Sequence, residues 1–579
     1  MPQQYSKDQP DYLLLNIVCG QVSMFPNHAS ISTCPPTVGP DLREWADNRG
    51  LRVGDDGFSI SQSGRAIDPS DFLPRRILGE YLDWFYQFLQ RQSPGSMQIV
   101  EHRSRAVDIS EHGNQLTVAL ANNQLVELDY LFMTVGQLPQ PHRRKHTAGS
   151  HRLVHTPYPL PQRLAKATSA QTVAIAGLGL TAADAILSLT VGRGGKFDLG
   201  DPLQRYIPSG LEPHIIAFSL SGLPYRSRPS LGTSPAYNPV VFNRRNIDVL
   251  RRERSSRLDF DAHVLPLLFL ELRIAYHRAR ILRDRDAQAG EDFLARVLVS
   301  ASAGDLPAFL SELDTETDSF DPVSAYHGPI PTHDRDIAPL ADAVSYQTWF
   351  HDWIEADLKD ARLGVSGSPL KAALEICRDF RDIIRYAVDY GGLTDDSLDR
   401  FFGYHAEMIN RIVVGPQKER NANISALIRS GLLMISLGPS PHVAWDSGLK
   451  KWLLKSTQLN VAHQVTADWL YQGYTDRLHL LGADPHIVGA MSRRGLLRAF
   501  RPGSEIVRAA DVNRLGYPIS INGLPSRRIW LIGLLCEGVT FYNSYLTSPD
   551  RFAQAQFNAD RAVNDIFEEV EYDSPEAVV

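Results

Sequence analysis

Cysteine is scarce in this 579-residue chain: Cys19, Cys34, Cys377 and Cys536 stand far apart, with no C-x-x-C pair and no Cys/His cluster at metal-ligand spacing. That pattern excludes a disulfide-stapled scaffold and a zinc ribbon and fits a reducing compartment, the cytoplasm. No apolar run approaches the ~18 residues a membrane span needs, and the polar opening from Met1 to Tyr12 is not a secretory signal. Basic charge is not in excess either. The 59 Lys plus Arg against 66 Asp plus Glu leave a net charge of −7, so the broad cationic face of a nucleic-acid binder is not expected. G-x-S-x-G, G-x-x-x-x-G-K-[ST] and H-E-x-x-H are all absent, which removes the core residues of esterase, P-loop and zincin chemistry. No fixed-period repeat or low-complexity tract is present.

What remains is a long, moderately apolar chain, 43% hydrophobic, with enough material for several packed units. Only ten of its basic residues are Lys and 49 are Arg, the side chain suited to bidentate contact with phosphate and carboxylate. Short apolar strands alternate with helices: Met97 to His102, Gln115 to Leu120, Leu125 to Val135, Thr172 to Gly177 and His214 to Gly222 read as strands, and Arg527 to Leu535 as a late buried one. From about Asn243 to Arg411, helical patterns such as Ala262 to Arg283, Ser345 to Leu363 and Pro369 to Tyr390 take over, with a loop at Asp314 to Pro339. The fold class expected is α/β, two dinucleotide-binding (Rossmann-like) units with a large helical insertion. The division expected is 1–165 and 166–242 as the two units, 243–410 as the insertion, and 411–579 as the part completing the core.

The most specific local signal is Gly177-Leu-Gly179-Leu-Thr-Ala182, which follows a strand and opens a helix. Gly177 permits the tight turn, Gly179 lets the backbone approach a pyrophosphate, and Ala182 allows close packing while the helix N-terminus faces the phosphates. The next strand ends in Ser219, Ser221 and Gly222 instead of an acid, with Arg226 and Arg228 soon after. Hydroxyls and guanidinium groups suit a 2′-phosphate, so NADPH is expected over NADH. Arg226 and Arg228 read equally as solvated loop residues.

Asp129 to Gly136, with Thr134 before the glycine, resembles the D-x-(apolar)-A-T-G segment of two-dinucleotide flavoproteins. Further stretches are similar to bacterial FAD/NAD(P)-binding proteins related to FAD-dependent urate hydroxylase and to the N-hydroxylating flavin monooxygenases. They are Tyr12 to Asn16, Val22 to Phe25, Leu73 to Trp84, Gly177 to Ala182, Ile409 to Pro416 and Ile532 to Gly538. The resemblance implies FAD and NADPH as cofactors and places Asn16, Arg75, Arg76, Tyr81, Thr134, Gly136, Gly533 and Glu537 on the flavin side. It also implies a strand, a glycine fingerprint and an acid ahead of Leu13. None stands there, since Gly20 is the first glycine, so the first unit is expected to be short at its beginning, either because the natural start lies upstream or because flavin is poorly bound.

Bottom-up, Ile77, Tyr81, Trp84 and Phe85 share one helical face, a core pattern first and a site second. Arg75 and Arg76, at that helix start, need an anionic partner. His142 with His146, and His151 with His155, lack a placed third ligand, so no metal is expected. Tyr346, Trp349, Phe350 and Trp353 read as a core stripe, and Glu537 as either a cap or a positioning acid. The function expected is an FAD-dependent, NADPH-using monooxygenase of a small, possibly amino-acid, substrate with O₂. The alternative is a non-catalytic nucleotide-binding or partner-docking relative.

Overall fold

A computed structural model describes residues 5–572 apart from 29, 31–36, 114, 137–149, 156–157, 202–203, 231–236, 315–318, 329–339, 475–485, 502–503, 505–508, 544–545 and 550–551. Helix α1 (Leu42–Asn48) starts in a capping box, Asp41 accepting from the Glu44 N–H and Glu44 from the Asp41 N–H. Helix α2 (Arg75–Gln92) follows Pro74 and buries Ile77, Leu78 and Tyr81. Strands β1 (Ala106–His112), β2 (Gln115–Leu120) and β3 (Leu125–Leu128) make an antiparallel meander. In β2, Leu116, Val118 and Leu120 alternate inward with the period of two that a half-buried strand requires. Next come β4 (Leu131–Met133), β5 (Leu153–Val154), β6 (Thr172–Ala176), helix α3 (Leu180–Leu189) and β7 (His214–Phe218).

The helical stretch contains α4 (Leu265–Asp284), α5 (Ala343–Gly367), α6 (Pro369–Asp379), α7 (Arg381–Val388), α8 (Ala406–Val413) and α9 (Lys418–Arg429). After it run β8 (Leu433–Met434), β9 (His442–Asp446), β10 (Lys451–Lys455), β11 (Gln464–Ala467), β12 (Trp469–Gln472) and β13 (Ile529–Leu531), and helix α10 (Gln554–Tyr572) closes the described chain.

Two parallel sheets organise the molecule. The larger has the order β8-β7-β6-β12-β5 with every pairing parallel. Its central strand β6 buries Val173, Ala174 and Ile175 completely, as a strand covered on both faces must. Val173 and Ile175 pack in one cluster with Ala185, Ile186 and Leu189 of α3, and Ala174 packs in another with Trp452, Leu454 and Ala467 of the β9-β10-β11 layer. The first cluster continues without a break through Leu268, Phe350, Leu374 and Leu427, so the helical stretch shares the core of this unit. The second parallel sheet pairs β4 with β13, Leu131 opposite Ile529 and Met133 opposite Leu531.

The strand expected at Met97 to His102 forms no ladder among the described residues, and Met97 and Val100 are each 60% exposed. Propensity alone does not make a strand without a neighbouring edge to take its N–H groups. The run Leu125 to Val135 breaks into β3 and β4 at Asp129–Tyr130, and Pro369 to Tyr390 breaks into α6 and α7 at Phe380.

Candidate functional site

The Gly177 turn lies where β6, β7 and β12 end together. The Gly177 N–H donates to Phe218 O at 2.7 Å, and Gly473 N–H, just past β12, donates to Ala176 O at 2.8 Å. A Cβ on Gly177, whose φ is +133°, would stand 2.5 Å from Gly473 O, so both the conformation and the space demand glycine. A Cβ on Gly179 would meet the Tyr225 ring at 3.3 Å. Helix α3 then begins with no side chain capping its N-terminus, and Ala182 packs buried against Gly473. Carboxyl ends of parallel strands, a glycine turn and an uncapped helix start are the elements that receive a nucleotide pyrophosphate. Past β7, Ser219 Oγ accepts from the Gly222 N–H and Ser221 Oγ from the Leu223 N–H, and no acid stands at that strand end.

Arg75 and Arg76 have the anionic partners their place at a helix start requires, and these are carboxylates of the chain itself. Arg75 Nη1 lies 2.6 Å from Asp184 Oδ2 and donates to Tyr158 Oη at 2.7 Å, while Tyr158 Oη donates to the same carboxylate oxygen at 2.5 Å. Arg76 is held by Asp11 and Glu80. Tyr81 is fully buried, donating to Pro40 O and accepting from the Met24 N–H, so in this structure it is a core residue. The segment carrying Asn16 is gripped through its carbonyls: Arg75 Nε donates to Leu14 O, Arg420 to Tyr12 O, Gln417 to Leu15 O and Arg228 Nη1 to Asn16 O.

Arg226 and Arg228 are buried, not solvated on a loop. Arg226 reaches Asp357 of α5 at 3.2 Å, donates to Ala325 O, and stacks on Trp353, 4.8 Å from the ring centroid. Lys371 of α6 completes the cluster, 2.8 Å from the same Asp357. Lys371 and Arg226 hold Asp357 below the usual carboxylate range in spite of its burial. Reading Arg226 as a free 2′-phosphate contact is therefore corrected: these donors tie the exit of β7 to the helical stretch. Glycine is required across the seam too, since a Cβ on Gly415 would fall 1.7 Å from Arg226 O. Arg411 of α8 lies against this cluster, and burial together with Arg226 pulls its guanidinium down to about 10. Nε of Arg226 and Nε of Arg411 have no hydrogen-bond partner among the described residues.

The second site gathers at the carboxyl ends of β4 and β13. Thr134 and Gly136 follow β4, and Gly533 follows β13. Both glycines are left-handed, with φ +63° and +94°, and a Cβ on either would meet nothing within 4 Å. A small cleft beside Gly533 is lined by Tyr390, Gly516, Trp530, Asn543 and Arg561. Glu537 accepts from the Tyr542 N–H, the Asn543 N–H and Asn543 Nδ2, so it fixes the turn after β13, and burial raises its carboxyl.

A profile for FAD/NAD(P)-binding proteins matches residues 2–138. An L-aspartate N-monooxygenase (nitrosuccinate-forming) of Streptomyces davaonensis is 30% identical over 475 residues, 77% of this chain and 71% of that protein. The chain belongs to the FAD/NAD(P)-binding N-monooxygenase family. The nitrosuccinic acid synthase npaA of Aspergillus oryzae is 29% identical over 477 residues, 78% of this chain and 68% of that protein. The FAD-bound cadaverine monooxygenase DfoA of Erwinia amylovora superposes with a TM-score of 0.43 at 11% identity, covering 97% of this chain and 87% of that one.

As an N-monooxygenase the chain is an oxidoreductase using FAD and NAD(P)H, and the two sites suit those groups. The Gly177 turn has the cradle a pyrophosphate needs. The open face of Gly533, in a cleft with Asn543 and Arg561, suits a flat ring with polar edges, and Gly136 past β4 leaves its face open too. After β13 the Gly533 turn opens only a single 3-10 turn, Leu534–Cys536. No group of three or more His, Cys, Asp or Glu that could hold a metal occurs among the described residues, and His142 and His146 lie outside them. No helix of the described residues is long and apolar enough to cross a membrane.

Sequence reasoning missed Asp184, Asp357, Lys371, Arg385 and Asp389. Asp184 carried a usable signal, a lone acid inside the apolar run Ala182 to Leu189. The others depend on contacts between distant segments.

Proposed function

We propose that this N-monooxygenase uses NADPH and O₂ to hydroxylate the amino nitrogen of L-aspartate or of a close dicarboxylic amino acid. The observation that carries the reading is the relationship to an aspartate N-monooxygenase through 475 residues, which takes in most of the chain. The seam of buried cations supports it. Arg226 and Lys371 pair with a single buried carboxylate, Asp357, Arg411 is bonded nearby to the carbonyls of Pro224 and Tyr326, and Nε of Arg226 and of Arg411 has no partner among the described residues. Buried charge of one sign is costly unless an opposite charge answers it, and a substrate with two carboxylates supplies that charge. Bound FAD supplies the hydride acceptor and the oxygen chemistry. In this reading the chain's own residues do the rest: Gly177, Gly179 and the start of α3 seat the nicotinamide dinucleotide, Ser219 and Ser221 offer hydroxyls to a 2′-phosphate, and Gly136 and Gly533 leave room for the flavin. The cytoplasm is the proposed location, where NADPH is available and Cys19, Cys377 and Cys536, all free and buried, stay reduced.

The test is to load the purified chain with FAD and NADPH, offer L-aspartate, L-glutamate, L-ornithine and L-lysine, and follow NADPH oxidation alongside mass spectrometry of the products. N-oxygenated aspartate in step with NADPH consumption is the expected result. Turnover of lysine or ornithine with aspartate untouched would refute the substrate assignment.

A further inference from the structure

The turn after β13, Gly533 to Asn543, is built from backbone that would not hold its shape alone. Gly533 and Gly538 have φ of +94° and +123°, and Tyr542 is left-handed at +63°. Across the contact Tyr390, just beyond α7, is left-handed too, at +55°. Left-handed backbone is unfavourable for a tyrosine and persists only where its surroundings over-determine it.

The surroundings here come from the helical stretch. Tyr390 N–H donates to Val539 O at 2.7 Å. Asp389 Oδ1 accepts from the Phe541 N–H at 2.8 Å, and Arg385 Nε donates to Phe541 O at 2.8 Å, so one residue is gripped at both of its backbone polar groups. Arg385 Nη2 also reaches Tyr542 O at 3.4 Å, and the Arg381 guanidinium lies over the Tyr542 ring, 4.2 Å from its centroid. On the inner side, Glu537 takes the N–H groups of Tyr542 and Asn543. The gripped residues lead into Asn543, which lines the cleft beside Gly533.

We propose that Arg385 and Asp389 are positioning residues of the flavin-side turn: the helical stretch reaches across with one guanidinium and one carboxyl group and sets Gly533 to Asn543 in its binding shape. This rests on the reading that flavin lies at the ends of β4 and β13. The grip has a charge dependence. Burial pushes the Asp389 carboxyl up to about 8, Arg385 opposes that, and Glu537 and Asp382 add to it. From the other elements Arg381 faces Tyr542 and Arg561 of α10 faces Tyr390. A folded-state value above the ordinary carboxylate range means that the folded turn favours the neutral acid. Raising the pH through about 8 therefore puts a second negative charge beside Glu537 and loosens the turn.

The experiment titrates FAD into apoprotein by flavin fluorescence from pH 6.5 to 9.5, with hydrogen exchange of residues 533–543 measured on the same apoprotein. Wild-type affinity is expected to weaken about threefold or more as pH rises through about 8. Asp389→Asn, which keeps an oxygen for the Phe541 N–H and cannot ionise, should bind as wild type does at low pH and lose the step. Asp389→Ala, which leaves that N–H unanswered, should lose about tenfold in affinity at every pH and exchange faster at 541–543. The proposal falls if Asp389→Ala binds FAD and exchanges as wild type does, or if Asp389→Asn is as weak as Asp389→Ala or keeps the step. Wild-type apoprotein that takes up no FAD would instead overturn the flavin-site reading and this proposal with it.

Discussion

Replacing Gly177 with alanine tests the nucleotide turn at one atom. The added Cβ would stand 2.5 Å from Gly473 O and 2.9 Å from Gly473 C, both backbone atoms, at a residue whose φ is +133°. The left-handed conformation costs an L-residue about 1–3 kcal/mol and the steric overlap a further ~1–3 kcal/mol. Gly473 cannot easily withdraw, because its N–H is bonded to Ala176 O and β12 is in register with β6 up to Gln472. The turn must move instead, and with it the uncapped start of α3. If about 2 kcal/mol of that strain falls on binding, NADPH affinity drops roughly 30-fold. Gly179→Ala is the internal comparison. Its φ is −89° and within the protein its Cβ would meet only the edge of the Tyr225 ring at 3.3 Å, so the fold should be untouched and any loss of NADPH affinity there reports the Cβ against the pyrophosphate itself. Anaerobic stopped-flow reduction of bound flavin against NADPH concentration reads both variants, and thermal unfolding reports whether the fold survives. Wild-type NADPH affinity in both folded variants would refute the assignment of this turn.

Arg75→Met removes one partner of a buried pair and leaves the Asp184 carboxylate beside the Tyr158 hydroxyl alone; the cost should be about 3–5 kcal/mol in chemical denaturation, and Asp184→Leu in the same chain should recover most of it. A phosphate-binding Arg75 would behave differently: stability would hold and cofactor affinity would fall. A pH prediction follows from His405, whose Nε2 lies 2.8 Å from Asp261 and whose Nδ1 lies 3.1 Å from Tyr326 Oη. Burial lowers its pKa below the ordinary 6.5, with Asp261 opposing. Since the folded state favours the neutral ring and the unfolded chain takes up its proton at about 6.5, this contribution to stability is present above that pH and is lost as pH falls below it. Denaturant midpoints from pH 8 to 5 should decline in the wild type and decline less in His405→Gln; identical slopes would dispose of the claim.

What could be read from the residues in advance divides by the range of the interaction. The run from Thr172 through Gly177 to Leu189 was legible because each requirement in it is local: β-branched residues for a doubly covered strand, a glycine where φ must be positive, small residues where a helix closes on the sheet. The arginines were legible as charge and not as place. Arg226 and Arg228 stand in a stretch that reads as loop, and nothing nearby announces that Asp357, 131 residues on, will bury the first of them. Met97 to His102 fails the other way, since its composition favours a strand while pairing depends on an edge supplied from elsewhere. The same logic separates Glu537 from Asp389. Glu537 reads as either a cap or a positioning acid, and its partners do lie within six residues, whereas nothing in the helical pattern Pro369 to Tyr390 singles out Asp389. Its partner Phe541 is 152 residues away, so only the folded chain reveals that an acid at a helix end holds the turn where the flavin-side strands finish.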